Sequence, residues 1–310
     1  MLVDREAKRT GGDVFWIEPR HILDRIAINW PVVSDAAILP GSLAIDGRTV
    51  PLNDISGVFV RCPWPLPLRL EDMSLEDRDY VVKETSAAWL ALLSALPCAV
   101  VNRPIPGGRP ALLAGNPDQR RIVAEHGFLL SPSRCTSSQA DALAHYSAWQ
   151  GRAYVKPLGT DECGADLHPM NGVEQICQIM EQYAVALQAV PFGQRITAYV
   201  AGGRVVATVV QSDGRKSEAA ELPFLPTEQF GVLVKALGMS FAECHFVVTP
   251  EGQAFCLDVS GSPNYWRCPR DVQQVIVQRL VESLSELRSV AVHDSLDGAP
   301  GRSGAGERLR

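Results

Sequence analysis

The stretch RITAYVAGGRVVATVVQS, residues 195–212, constrains the fold more than any other part of the chain. Two runs rich in Val, Thr and Ile meet at Gly202-Gly203. Glycine reaches the positive-φ backbone of a tight turn at no steric cost, so the stretch reads as a β-hairpin. ECHFVVT (243–249) and AFCLDVS (254–260) meet at Pro250-Glu251-Gly252 and read as a second hairpin. Between the hairpins, Thr227 to Leu237 has helical spacing and Gly238 closes it. Hairpin strands are antiparallel, so this part of the chain is built on antiparallel pairing.

The first hundred residues alternate short β runs with turns. DVFWI (13–17), SLAID (42–46), GVFVRC (57–62) and AVVN (99–102) are expected strands. RDYVVKETSAAWLALLSAL (78–96) has apolar residues at helical spacing and stops at Pro97. Strand, helix and strand in that order predict an α/β layer with a parallel sheet. RPIPGGRPALLAG (103–115) reads as a boundary. Asn116-Pro117-Asp118 then starts a helix with a capping side chain, a proline at the first helical position and an acid near the positive dipole end, and Gly127 ends it. Residues 137–150 read as a helix, AYVKP (153–157) as a strand, 171–188 as a helix and 271–287 as an amphipathic helix. The tail from His293 is Gly, Ser and charge, and is expected to be disordered.

Composition narrows the function classes. The 310 residues are 46% hydrophobic and 21% charged, ordinary for a globular chain, with a formal charge of −6. Acids outnumber bases and no basic patch stands out, which argues against nucleic-acid binding. No run approaches the length needed to span a bilayer, and the charged start MLVDREAKRT is not followed by a signal-like apolar run. The eight cysteines are scattered without a CxxC, so reduced structural thiols in a cytoplasmic protein are expected.

Strand alternation gathers a candidate site. Asp258 and Ser260 share one face of their strand, with Phe255, Leu257 and Val259 on the other. Glu243 and His245 share one side of the partner strand, so these four polar residues are expected at one end of the sheet. Lys156 ends an apolar strand, where a buried ammonium is costly unless paired, and a phosphate contact or a snorkelling side chain would each explain it. The loop GTDECGAD (159–166), with Gly159 and Gly164, is able to cradle an anion with backbone N–H groups, and is equally consistent with a mobile acidic loop.

The order of these parts resembles the ATP-grasp superfamily, most closely its RimK-like and microviridin-type peptide ligases, up to about Leu287. GSLAIDGRTVPLNDISGVFVRCPWP resembles the N-terminal preparatory domain, NPDQRRIVAEHGFLLSPSRCTSS the opening of the nucleotide fold, and YVKPLG the lysine strand. LQAVPFGQRITAYVAGGRVVATVVQSDGR resembles the hinge and the hairpin beyond it, and HFVVTPEGQAFCLDVSGSP the metal-binding hairpin. The resemblance implies an α/β (α+β) ATP-grasp fold. Its parts would be a preparatory domain over 1–115, subdomains over 116–187 and 188–290 that clamp a nucleotide, and a tail over 291–310. It implies ATP with Mg²⁺, Lys156 on the α/β-phosphates, and an adenine contact at Gln188 and Val190. Arg195 and Arg215 would approach the terminal phosphate or acyl intermediate, and Asp258, Ser260, His245 and Glu243 would stand at the metal. The implied reaction is ATP-dependent carboxylate–amine or carboxylate–alcohol ligation on a peptide or protein, with Gly261 to Trp266 lining the acceptor side. A homodimer is left open.

The sequence also departs from that pattern. His245 stands at the place of the first acidic metal ligand, Asp258 shortens a glutamate, Ser260 replaces an asparagine, and Asn116 replaces a phosphate lysine. Magnesium prefers hard, charged oxygen ligands. Arg120 or Arg121 would have to compensate for Asn116, and Glu243 for the lost carboxylate. A degenerate relative that binds a peptide or partner without ligating anything is the alternative.

Overall fold

The computed structural model describes residues 2–31, 40–61, 66–68, 70–104, 116–158, 164–167, 169–211, 218–219 and 227–294. Cys62, Gly159, Cys163, Arg215, residues 105–115 and the tail beyond 294 lie outside the described residues. No helix among the described residues is long and apolar enough to cross a membrane.

The N-terminal part begins with α1 (Leu2–Arg9) and the single turn α2 (Ile22–Arg25). An antiparallel meander follows, β1 (Ile26–Asn29), β2 (Ser42–Ile45) and β3 (Arg48–Pro51). β4 (Gly57–Phe59) and β5 (Ala99–Val101) pair in parallel, joined through α3 (Leu75–Ala95), whose N-cap Ser74 accepts a hydrogen bond from the Asp77 N–H. The expected parallel strand–helix–strand unit is therefore present as these two strands, and the meander beside it is antiparallel. The strand expected at 13–17 is not formed. This segment has no strand partner among the described residues, and Phe15 and Ile17 instead lay their side chains on the core of Leu43, Trp89 and Leu92.

The middle of the chain holds α4 (Pro117–Glu125), β6 (Leu129–Leu130), β7 (Ser133–Thr136), α5 (Gln139–Ala148), β8 (Ala153–Pro157), β9 (Ala165–Asp166), α6 (Gly172–Met180) and β10 (Val185–Ala189). Asn116 caps α4 by accepting from the N–H groups of Asp118 and Gln119. A four-stranded sheet, ordered β7-β10-β8-β9, is covered on one face by α5 and α6. The helix expected over 171–188 ends at Met180, and VALQA is the strand β10. Paired with β7 on one side and β8 on the other, β10 satisfies its backbone on both edges and sends Val185 and Leu187 into the core.

The last part holds β11 (Gln194–Ala201), β12 (Arg204–Gln211), β13 (Glu218–Ala219), α7 (Thr227–Ala236), β14 (Phe241–Val248), β15 (Ala254–Ser260) and α8 (Arg270–Asp294). Both expected hairpins form, and they join into one sheet ordered β13-β12-β11-β14-β15-β6. Its sixth strand, β6, comes from the middle of the chain and lies parallel to β15, so the middle and last parts share a sheet. On one face Phe128, Phe230 and Phe246 form a ring cluster with centroids 5.0 to 5.3 Å apart. On the other, α8 packs Ile276 and Leu280 against Tyr199 and Phe241, together with Val3 of α1 and Val101 of β5.

Candidate functional site

Two strand faces meet where the two large sheets face each other. On β8, Ala153 and Val155 point to the helices, which leaves Tyr154 and Lys156 on the opposite face. On β10 the residues registered with them are Gln188 and Ala186. Tyr154, Lys156 and Gln188 thus project together, all buried, toward β15.

On β14 and β15 the register pairs Glu243 with Ser260 and His245 with Asp258, so the four polar residues meet at one end of the sheet as expected. The alternation along β15 is not simple, however. His245 pairs with Asp258 but the next residue, Phe246, pairs with Cys256, leaving Leu257 as the extra residue of a bulge. Because of it, Cys256 and Val259 both enter the phenylalanine core, where plain alternation would have put Cys256 on the Asp258 face.

The centre of the site is a buried ion pair. Lys156 Nζ donates to both carboxylate oxygens of Asp258, at 2.9 Å each. The side chains are 3% and 0% exposed. The Tyr154 hydroxyl donates to Asp258 Oδ2 at 3.3 Å, the Val259 N–H donates to Oδ1 at 3.0 Å, and Gln188 Nε2 donates to the Cys256 carbonyl at 2.8 Å. Removing two ions from water costs several kcal/mol each, and an apolar pair of similar volume is often as stable, so stability alone does not explain the pair. The carboxylates leave a mark on the thiols beside them. Burial, with the charges of Glu243 and Asp258 added, pushes the Cys244 thiol up. Cys256 rises well above the usual thiol range for the same first reason, burial.

A second polar group adjoins the pair. His245 Nδ1 lies 3.1 Å from Thr197 Oγ1 and its Nε2 lies 3.2 Å from Glu243 Oε1. Glu243 Oε2 accepts the Asn264 N–H at 2.7 Å, and Ser260 Oγ accepts the Ser262 N–H at 3.2 Å. Arg195 is held in an ion pair with Asp166 of β9, a second charged contact between the two sheets. Gly164 lies on the Tyr154 ring, where an added Cβ would stand 2.3 Å from a ring carbon, so the loop end can approach that ring only as glycine. Arg121 is turned to Glu125 on the surface, whereas Arg120 is half-buried and donates to the Ser131 carbonyl. Burial pulls the Arg120 guanidinium below its usual range.

Just beyond β10, the Val190 N–H donates to the Arg152 carbonyl at 3.0 Å. A groove of about 340 Å³ runs beside it, lined by Ser131, Trp149, Arg152, Val190 and Phe255 among others. Gln188 Oε1 is buried and without a hydrogen-bond partner. A buried acceptor left in this state suits a ligand N–H, so the residues fit a nucleobase with an exocyclic amine. Magnesium does not fit these residues as they stand. Both oxygens of Asp258 hold an ammonium, Glu243 is engaged by His245 and Asn264, and a neutral imidazole supplies no charge. Among the described residues no group of three or more His, Cys, Asp or Glu side chains is placed to hold a metal ion.

Sequence reasoning missed Tyr154, Thr197 and Asp166. The first two carried a readable signal: Tyr154 lies two before Lys156, and Thr197 is a polar residue within a buried run of β11.

No family model matches the sequence, and no curated protein does. Solved structures match over nearly the whole length. The macrocyclase MdnC from Microcystis aeruginosa MRC, bound with the precursor peptide MdnA, superposes with a TM-score of 0.67 at 14% identity, over 91% of this chain and 95% of that one. The ATP-grasp ligase PsnB, complexed with a phosphomimetic variant of minimal precursor, Mg and ADP, gives 0.65 at 16%, over 93% and 94%. The fold is that of the ATP-grasp ligases. A RiPP-associated ATP-grasp ligase from Chryseobacterium gregarium, in complex with ADP and a leader and core peptide, gives 0.64 at 14%, over 92% of each chain. Within the ATP-grasp fold of this chain, Lys156 and Asp258 stand on the facing surfaces of the two sheets.

Proposed function

We propose that the chain is an ATP-dependent ligase that joins a carboxylate to an amine or alcohol on a peptide or protein. The observation that carries this reading is the facing of Lys156 and Asp258 from separate sheets inside an ATP-grasp fold. An ion pair buried between two layers carries a desolvation cost that stability alone does not repay, which makes it a functional-site candidate. Support for a peptide substrate comes from the precursor peptides bound to MdnC and PsnB.

In this reading ATP enters between the sheets and its phosphates take the place of the Asp258 carboxylate on the Lys156 ammonium. Gln188 Oε1 accepts from the nucleobase amine, with the groove at Val190 beside it. Arg195, released from Asp166, offsets charge at the terminal phosphate, since a planar guanidinium binds phosphate bidentately. Gly159 and Arg215 are proposed at the phosphates from sequence alone. The substrate carboxylate attacks the γ-phosphorus and displaces ADP, which forms an acylphosphate. The amine or alcohol then attacks the acyl carbon, loses its proton and expels phosphate. Catalysis of this kind is largely positioning and charge stabilisation. No step is assigned to a metal: even with Asp258 released from Lys156, Glu243 stays engaged by His245 and Asn264, and Ser260 accepts from the Ser262 N–H.

One observation favours a second reading, a non-catalytic protein that uses the fold to bind a peptide. With both oxygens of Asp258 on Lys156, cation and carboxylate neutralise each other without a nucleotide. ADP release, followed with Mg-ATP and a peptide bearing both a carboxylate and an amine, separates the two. The ligase reading expects turnover that Lys156→Ala abolishes. ATP-independent peptide binding without turnover leaves the second reading.

A further inference from the structure

We infer that Arg61, on the platform of Trp266 and Tyr265, is the residue that selects a carboxylate-bearing peptide segment at the entrance to this site. The inference rests on the reading above that the site serves a peptide, but its observations are separate from the nucleotide clamp.

Arg61 follows β4 and is exposed. Its guanidinium carbon lies 4.8 Å from the centroid of the Trp266 ring, 5.6 Å from that of Tyr265 and 5.9 Å from that of Phe59. One Arg61 N–H is engaged by the Tyr265 hydroxyl, and the other donors of the planar fork are left for a planar acceptor such as a carboxylate. Trp266 is itself 53% exposed, so the platform is open to a ligand. Among the described residues no ion pair engages Arg61 or the neighbouring exposed Arg267. On a chain of formal charge −6, this is a basic point left without an acid. Burial raises the Tyr265 hydroxyl above its usual range while Arg61 pulls the other way, which agrees with their close approach.

The same loop reaches the polar group beside Asp258. The Asn264 N–H is fixed on Glu243 Oε2 at 2.7 Å, while Asn264 Oδ1 is buried and without a hydrogen-bond partner. An extended peptide crossing here would give a carboxylate to Arg61 and a backbone N–H to Asn264 Oδ1. Asn264 precedes the platform residue Tyr265 in the chain and is held on Glu243, which His245 contacts.

The test is fluorescence anisotropy of the full chain at low salt, without nucleotide, using labelled (Gly-Glu)₄ and (Gly-Gln)₄ peptides. The acidic peptide should bind about tenfold more tightly, as one charge-assisted bidentate contact implies. Arg61→Met should erase that preference, and Trp266→Leu should weaken both peptides. Should Arg61→Met fail to fold, Arg61→Lys keeps the charge without the fork and should lower the preference severalfold at an unchanged melting temperature. Equal affinities, no binding of either peptide, or a preference that survives Arg61→Met and Arg61→Lys overturns the inference. Since no ATP is present, a failed ligase reading shows as absent turnover with the peptide preference intact.

Discussion

Lys156 of β8 and Asp258 of β15 hold each other at 2.9 Å through both carboxylate oxygens, although their strands belong to different sheets. Taking away one partner leaves the other buried and uncompensated. Lys156→Met or Asp258→Asn alone should therefore lose about 3–5 kcal/mol of stability. The double variant Lys156→Met/Asp258→Leu should recover most of that loss, because it buries no charge. Denaturant unfolding of the four proteins checks this, and additive losses in the double variant would contradict it.

Gly231 lies inside α7, where helix propensity alone says that Ala gains up to about 1 kcal/mol. The structure reverses the sign. A Cβ at Gly231 would stand 1.8 Å from the Gly203 carbonyl oxygen of the β11–β12 turn. Gly231→Ala should lower the melting temperature, by about 2 kcal/mol or more of lost stability, as α7 is pushed off the sheet. A rise would show that the turn yields freely.

Asn102 joins the N-terminal part to the last sheet. Its backbone is left-handed, with φ 54°. Its Oδ1 accepts from the Ser240 and Phe241 N–H groups, and its Nδ2 donates to the Phe241 and Gly261 carbonyls. Asn102→Gly keeps the backbone and loses the bonds. Asn102→Ala loses both and should be the less stable of the two by about 1 kcal/mol. Amide exchange at Phe241 should quicken in each variant.

The thiols sort by surroundings. Cys244 and Cys256 are fully buried beside carboxylates and held in the unreactive thiol form. Cys135 is exposed; partial burial raises its thiol while the Arg120 charge pulls it down. Mass-spectrometric mapping after iodoacetamide at neutral pH should find Cys135 labelled well before Cys244 and Cys256. Early labelling of Cys256 would mean that the phenylalanine core opens readily.

The hairpins were legible because Gly202-Gly203 and the turn at Gly252 punctuate alternating strands, and the helix starts because Ser, Asn and Pro cap them. VALQA was not, because four of its five residues are apolar or small and a buried interior strand has no alternation to separate it from the end of α6. The pairing of Glu243 with Ser260 and His245 with Asp258 followed from strand period. The bulge at Leu257 did not, since strand period alone does not mark where an extra residue enters. Lys156 and Asp258 were each readable as costly residues in apolar strands. That they touch is a fact about two sheets, and no single stretch of sequence holds it.

Lys156 is proposed to belong to a nucleotide site that Asp258 fills in this structure. Calorimetric titration of ATP into the full chain, with Lys156→Ala and Arg121→Ala alongside, tests it most directly. Binding should be measurable below about 1 mM, fall at least tenfold in Lys156→Ala and stay unchanged in Arg121→Ala, whose guanidinium faces Glu125. No heat of binding at millimolar ATP, or equal binding by Lys156→Ala, would contradict it.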